Sequence, residues 1–548
     1  MKRKIAKKVL SVLTIVSFLP ISLTACGSQT NAKELHILVE SSKVQLDPAK
    51  SQNLANTTLG LVLRRLTTWD IKNDGSETKV VPDLATDTGT PFENGKSWKY
   101  TLKDGIKFEN GKQITTKDIK WGIERSFADE LSGGLTYHKT LLVGGNTYKG
   151  PFSGKELDSI ETPDDKTIIF HLERPFGDWP WIVSQPAFSP VPSGEKNVQT
   201  YGEHPVASGP YKVESYELGN KLVLVKNDNW SNDNVRVGEV PKIVYEMNQN
   251  QDIATDRLIQ DAGIDQYTFS NSFVSTAKLP QIQKNEQASK RLVTSKTGSL
   301  AYLALNVKSP SLSNLAVRKA LQYAVDKNAY RVASGGEIAG DFATTLITPG
   351  IEGRENFDLY KSDPSGNVDK AKEILKEAGI EPSSITLKLI TASSSAGQTT
   401  AQAIQQGIER TGIKVDIVSL DTESLDKAQT GDDPTAYDIT LLSWQPDYPS
   451  ANGNIQPLFA TSEIGGGNYN LSRYSNPDVD QKITQAQSEI DPVKAGKLWA
   501  TLDKEILEDA PVVPLIYKTT TWLPGSKVKN FYIGQFPSYP NYLKVTVE

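Results

Sequence analysis

Ile385-Thr-Leu-Lys-Leu-Ile-Thr391, a helix-forming stretch from Gln398 to Thr411, and Lys414-Val-Asp-Ile-Val-Ser-Leu420 follow one another, with Gly412 stopping the helix. Upstream lies a helical run from Asp369 to Ala378, closed by Gly379 as a C-terminal cap. Downstream, Tyr437 to Trp444 is a short apolar run of strand length. Strands alternating with helices predict an α/β fold built on an open, mostly parallel sheet. In such sheets ligands sit beyond the carboxyl ends of the strands. Trp444-Gln-Pro-Asp447-Tyr448 occupies one of those ends.

Working outward, Tyr302-Leu-Ala-Leu-Asn-Val307 reads as a strand. Ser313 to Asn328 reads as an amphipathic helix burying Val317, Ala320, Leu321, Ala324 and Val325 while exposing Arg318, Lys319 and Lys327. Nearer the N-terminus, Glu34 to Val39 alternates as a strand and ends in Ser41, Ser42 and the Leu46-Asp47-Pro48 turn. The phrase Phe-Glu-Asn-Gly-Lys occurs twice, at 92–96 and 108–112. Asn-Gly supplies the positive φ angles of tight hairpins, so these copies and Trp98 to Leu102 between them predict a β-meander. Thr115-Thr-Lys-Asp118 then resembles a capping box, opening a helix with Ile119, Ile123 and Phe127 on one face. Ser208 to Tyr216 and Lys221 to Lys226 read as paired strands, and Ala495 to Leu507 as a late helix.

The first residues read differently. Lys2, Arg3, Lys4, Lys7 and Lys8 precede an apolar run from Val9 to Leu23. That run is shorter than the roughly 20 residues of a membrane span, and the pattern is that of an export signal. It ends in Leu23-Thr-Ala-Cys26-Gly27, where Cys26 is the only cysteine of the 548 residues. The phrase resembles the lipobox of bacterial lipoproteins. It implies removal of residues 1–25, diacylation of Cys26 and a lipid-anchored, extracytoplasmic protein. A single cysteine excludes an internal disulfide. The net charge is −5, and losing the basic leader makes the remainder more acidic still. Nucleic acid is therefore not an expected partner.

The usual marks of catalysis are missing from the sequence. His36, His138, His171 and His204 form no H-E-x-x-H or closely paired metal motif, and there is no G-x-S-x-G elbow. Gly89 to Ser97 has five residues between its glycines where a phosphate loop has four, and it precedes a strand. The expectation is a binding protein with no catalytic residue, cofactor or resident metal. An anchored hydrolase with unmarked paired carboxylates is the enzymatic alternative.

Several phrases carry a resemblance: Val81-Pro-Asp-Leu-Ala85, Trp98 to Phe108, Ser208-Gly-Pro-Tyr-Lys-Val213, Asn314 to Leu321 and Trp444 to Tyr448. In this order they resemble the family 5 extracellular solute-binding proteins of ABC importers, the oligopeptide- and dipeptide-binding type. The resemblance implies a two-lobed, type II periplasmic-binding-protein-like fold with an extra subdomain and a two-segment hinge. After a tether at 26–33, lobe I would comprise 34–299 with 512–548, including the extra subdomain at about 54–196. Lobe II would be 300–511, with crossings near Ser299 and Pro511. A monomer is expected, delivering its ligand to permease subunits.

In peptide-binding members of this family the aspartate of W-x-x-D-Y pairs with the ligand's α-amino group, which here implies Asp447. A carboxylate in a closed cleft makes short, charge-assisted bonds to an ammonium. Trp444 and Tyr448 flank it as candidate walls, Ser443 and Gln445 as candidate backbone partners for an extended peptide. Pro446 has no N–H to give. Ser41 and Ser42 would face the cleft from lobe I, with Tyr469 and Asn470 as further candidates after the Gly465-Gly-Gly467 loop. No basic residue lies between Leu441 and Tyr448, so this segment offers no anchor for a ligand carboxylate. Peptide length stays open. So do an oligosaccharide or metal-chelate ligand, and a peptide-signal receptor that imports nothing.

Overall fold

The computed structural model describes residues 34–548 apart from Asp74, Ser76, Asn232 and Thr297. The export signal, Cys26 and the tether expected over 26–33 lie outside the described residues.

Two mixed sheets carry the fold. The first has five strands in the order Thr268–Ser270, Glu34–Leu38, Lys242–Glu246, Lys221–Lys226, Tyr211–Glu217. Its first two pairings are parallel and its last two antiparallel. The second has six, in the order Gly340–Phe342, Val512–Lys518, Ser299–Leu305, Ile439–Trp444, Thr386–Ala392, Lys414–Leu420. Only its last two pairings are parallel. The expectation of a mostly parallel sheet is thus corrected. The strand–helix–strand unit at 386–420 is parallel as read. However, Ser299–Leu305 sits between two antiparallel neighbours that come from more than 130 residues later. Local periodicity carries no information on such pairings.

Of the predicted meander the first hairpin forms, Thr90–Phe92 against Ser97–Thr101, but the other neighbour of that strand is Thr167–His171, itself paired with Ile160–Glu161, and the second Asn-Gly copy closes only an isolated Lys107–Gln113 bridge. Asn94 and Gly95 turn the first hairpin with positive φ, as the repeated Asn-Gly suggested. Asp118 accepts the Thr115 N–H at 2.8 Å and starts the helix Thr116–Arg125. Asp83, from the Val81–Ala85 phrase, joins this region to the first sheet. It accepts from Arg64 Nε at 2.7 Å, Arg236 Nη2 at 2.8 Å and the Arg65 N–H at 3.1 Å.

Two further expectations change. The helix read over 313–328 stops at Ala324, Val325 is extended, and a second helix, Lys327–Ala333, starts from an Asp326 cap. Arg318 and Lys327 are covered rather than exposed. Arg318 donates to the Asp509 carbonyl at the end of helix Pro492–Glu508 and to those of Leu312 and Ser313. Lys327 donates to the Ala343 carbonyl, and burial lowers its pKa to about 8. These cations satisfy orphan carbonyls, a role that helix periodicity does not encode. Val317, Ala320, Leu321, Ala324 and Val325 are buried as read.

The division drawn at Pro511 grouped Val512 onward with the N-terminal strands. Val512–Lys518 belongs to the second sheet, and only after it does the chain return. There Thr521–Trp522 pairs antiparallel with Val293–Thr294, which leads into Ser299–Leu305. The Ser295 N–H adds a bond to the Thr520 carbonyl at 2.7 Å. Val293–Thr294 and Thr521–Trp522 therefore form one hydrogen-bonded ribbon.

Candidate binding cleft

The strand Ile439–Trp444 delivers the candidate segment, and three contacts fix the loop beyond it. Trp444 Nε1 donates to the Gly453 carbonyl at 2.7 Å. Pro446 packs so tightly on Gly453 that a Cβ there would lie 2.6 Å from the Pro446 ring. Ser450 Oγ donates to Asp178 at 2.6 Å, bringing in the region of the meander. Asp447, held between these contacts, lines a cavity of about 460 Å³, within the roughly 300–1,000 Å³ of small-ligand sites.

The opposite wall of the cavity comes from the end of Glu34–Leu38 and the loop after it, with Ser41, Lys43, Gln45 and Asn53. Asn271 and Tyr539 complete that side. Asp447 Oδ2 accepts from the Tyr137 hydroxyl at 2.6 Å and forms no ion pair among the described residues. Burial pushes the Asp447 carboxyl above its ordinary range, and the Tyr137 bond pulls part of that back. Burial and the neighbouring Asp447 charge hold the Tyr137 phenol well above its usual value, so it stays a donor. Asp447 is thus a largely buried carboxylate with one neutral partner and unused acceptor capacity. A ligand cation is the chemistry that completes it.

Residues 79–466 match the model of the bacterial extracellular solute-binding proteins, family 5. The chain belongs to this family. Among family 5 relatives, it is 25% identical to the oligopeptide-binding protein OppA of Bacillus subtilis, over 95% of this chain and 96% of that one. It is also 25% identical to the glutathione-binding protein GsiB of Salmonella paratyphi A, over 92% of each. The solved structure of clavulanic acid biosynthesis oligopeptide binding protein 2 superposes with a TM-score of 0.86 at 27% identity. That match covers 94% of this chain and 95% of the other. The fold is accordingly the two-lobed fold of solute-binding proteins. Among the described residues no His, Cys, Asp or Glu cluster suits a metal ion, and no helix is long and apolar enough to cross a membrane.

The structure brings the sequence candidates together unevenly. Ser41, Gln445 and Asp447 line the one cavity. Ser42 and Ser443 are exposed and do not line it. Trp444 and Tyr469 do not line it either and pair with each other, their rings 5.4 Å apart at 49°. Tyr448 and Asn470 are buried, with their polar atoms engaged by scaffold. The Tyr448 hydroxyl accepts from Asn452 at 2.8 Å. Asn470 Nδ2 donates to the Ala460 and Tyr474 carbonyls, and its Oδ1 accepts from Ser472 and the Tyr474 N–H. Sequence reading missed Tyr137, Lys43, Asn271 and Tyr539. Lys43 was within reach, one residue past Ser42. Tyr137 lies 310 residues from Asp447 and left no local signal.

Proposed function

We propose that the protein is the substrate-binding component of an ABC importer and captures short peptides between its lobes for delivery to a membrane permease. Asp447 receives the peptide's α-ammonium on its free oxygen, while Tyr137 occupies the other. The observation that carries this reading is the buried Asp447 carboxylate, set in the cavity with a single neutral donor. Relatives named for oligopeptides and glutathione agree with it. Ser41 and Gln445 offer polar groups to the peptide. In this reading lobe I comprises 34 to about 295 with about 520 to 548, and lobe II about 299 to 518. The extra subdomain spans about 54–196. Cys26 carries the acyl chains that hold a monomer at the outer face of the membrane, where two chains suffice for stable attachment.

Mass spectrometry of ligand released from the purified protein tests this directly. A ladder of short peptides with free amino termini is the expected result; sugars or a metal complex would sink the peptide assignment. A neutral oligosaccharide is the second reading, favoured by the side-chain amides of Gln45, Asn53, Asn271 and Gln445 around the cavity. Peptide uptake that survives deletion of the gene would instead mark a receptor that does not import.

A further inference from the structure

The extra subdomain, about 54–196 in the division proposed above, touches both lobes, and the two sets of contacts differ in kind. Toward lobe I it is held by buried ion pairs, Arg236 Nη2 to Asp83 at 2.8 Å and Arg125 Nη2 to Asp47 at 3.2 Å. Parting either would strand a buried charge, the costly way to break an ion pair. Toward lobe II the contacts are hydrogen bonds and packing. The Gly177 N–H donates to the Gln487 carbonyl at 2.8 Å, one of those that the end of helix Pro477–Ser488 leaves without a partner of its own. Beside it the Ser450 hydroxyl donates to Asp178 at 2.6 Å. When the lobes part, this second contact is the one that yields.

The receiving surface on lobe II is one bonded unit. Ser450 Oγ also accepts the Asn452 N–H at 3.2 Å, Asn452 Nδ2 donates to the Tyr448 hydroxyl at 2.8 Å, and Gln487 Nε2 donates to Asn452 Oδ1 at 2.9 Å. Tyr448 meets Tyr137 edge-on, ring centroids 5.7 Å apart at 79°, next to the Tyr137–Asp447 bond. Docking at Gly177 and Asp178 is thus linked to the wall of the cavity. A Cβ on Gly177 would overlap the Glu489 carbonyl, and all three of its nearest neighbours belong to Glu489 and Ile490 of lobe II. The φ of Gly177 is not left-handed, so its own backbone does not call for glycine. The close approach across the boundary does. Phe176 and Trp179 share one continuous core with Tyr448 and Ile483, so docking has an apolar driving force of its own.

We propose that this edge of the extra subdomain is a latch: Gly177 and Asp178 dock on the Ser450 loop and the end of helix Pro477–Ser488 as the lobes close, and their undocking sets the rate of ligand release. This rests on capture between the lobes, as read above. Undocking stands between the bound ligand and solvent, so a weakened latch speeds release and leaves association nearly untouched.

Small-angle X-ray scattering and stopped-flow tryptophan fluorescence on the purified protein, as wild type, Gly177→Ala and Ser450→Ala, test the latch, with trialanine as the probe. Ligand-free Gly177→Ala should have a larger radius of gyration than the ligand-free wild type. Trialanine should leave Gly177→Ala at least about tenfold faster than the wild type, and Ser450→Ala roughly fivefold faster, the worth of one hydrogen bond. Association should stay within about twofold in both. Equal radii for wild type and Gly177→Ala would overturn the proposal, and so would wild-type release rates in both variants. Should Gly177→Ala fail to fold, Ser450→Ala, which adds no bulk, decides by its release rate. A wild type that binds no trialanine would remove the peptide reading, and the ligand-free radii would then decide the latch alone.

Discussion

Asp83 is a fully buried carboxylate and Asp447 a partly buried one, and their surroundings drive them in opposite directions. Burial alone would raise either pKa. At Asp83, Arg236 and Arg64 outweigh burial and hold the carboxyl well below the usual range. At Asp447 only the Tyr137 hydroxyl opposes burial, and the carboxyl stays raised. A carboxylate supplied with its cations from within the chain is a rivet. One left short of positive charge, at the wall of a cavity, is a receptor. The difference lies in what stands opposite, and that is set by tertiary structure.

The largest expected effect is at the rivet. Asp83→Asn leaves the Arg64 guanidinium without its carboxylate and Arg236 with Asp233 alone, beside Arg65, which is already buried with no hydrogen-bond partner for its guanidinium. Removing one member of such a buried set costs about 3–5 kcal/mol, measurable as a lower urea midpoint. A native pKa below the unfolded value means that Asp83 stabilises at neutral pH, with the contribution lost as acid carries the pH down through that native pKa. An Asp83→Asn midpoint equal to that of the wild type would break the comparison.

Asp447→Asn should show the reverse pattern. Affinity for a peptide with a free amino terminus should fall by about 2–3 kcal/mol, roughly 30- to 150-fold. Folding stability at pH 7 should stay level or rise, because the raised pKa marks the charge as unfavourable in the native state. Calorimetry beside urea melts separates the two readouts.

Asp178 makes a third case at the same interface. Burial lifts its pKa to about 6, against the bonds from Ser450 and Tyr448. Its stabilising effect is complete below the unfolded pKa near 4 and lost as pH rises through about 6. Wild-type stability relative to Asp178→Asn should therefore drop by about 2 kcal/mol between pH 4 and 7. Flat relative melts across that range would count against it.

The smallest effect belongs to Tyr137→Phe. Losing the one donor to Asp447 raises that carboxyl further, so peptide binding should fail at a higher pH than in the wild type. At pH 7 the loss should be only a few-fold, in keeping with about 1 kcal/mol for one hydrogen bond.

Much of the scaffold was legible in the sequence because it is local. Asn94-Gly95, the Thr115–Asp118 cap and Gly379 each fix a turn or a helix end through their own dihedrals or side chains. The buried face of Leu315–Ala324 followed from spacing alone. The sense of the second sheet did not, because Ser299–Leu305 finds both partners far along the chain. The site divides the same way. Asp447, Gln445 and Ser41 could be placed from strand ends and a family phrase. Tyr137 could not, since nothing in its own segment shows which cavity it faces. Tyr448 and Asn470 show the converse: polar residues in a suggestive phrase whose bonding is used up by neighbours.

The ribbon of Val293–Thr294 against Thr521–Trp522 bears on the thermodynamics of capture. One strand between the lobes would let them swivel about several independent torsions. Two strands bonded side by side leave bending across the ribbon as the soft motion and stiffen twist. With the lobes divided as proposed, such a ribbon would confine their opening to a narrow arc, so little disorder would be surrendered when they meet and more of the contact energy would remain as affinity.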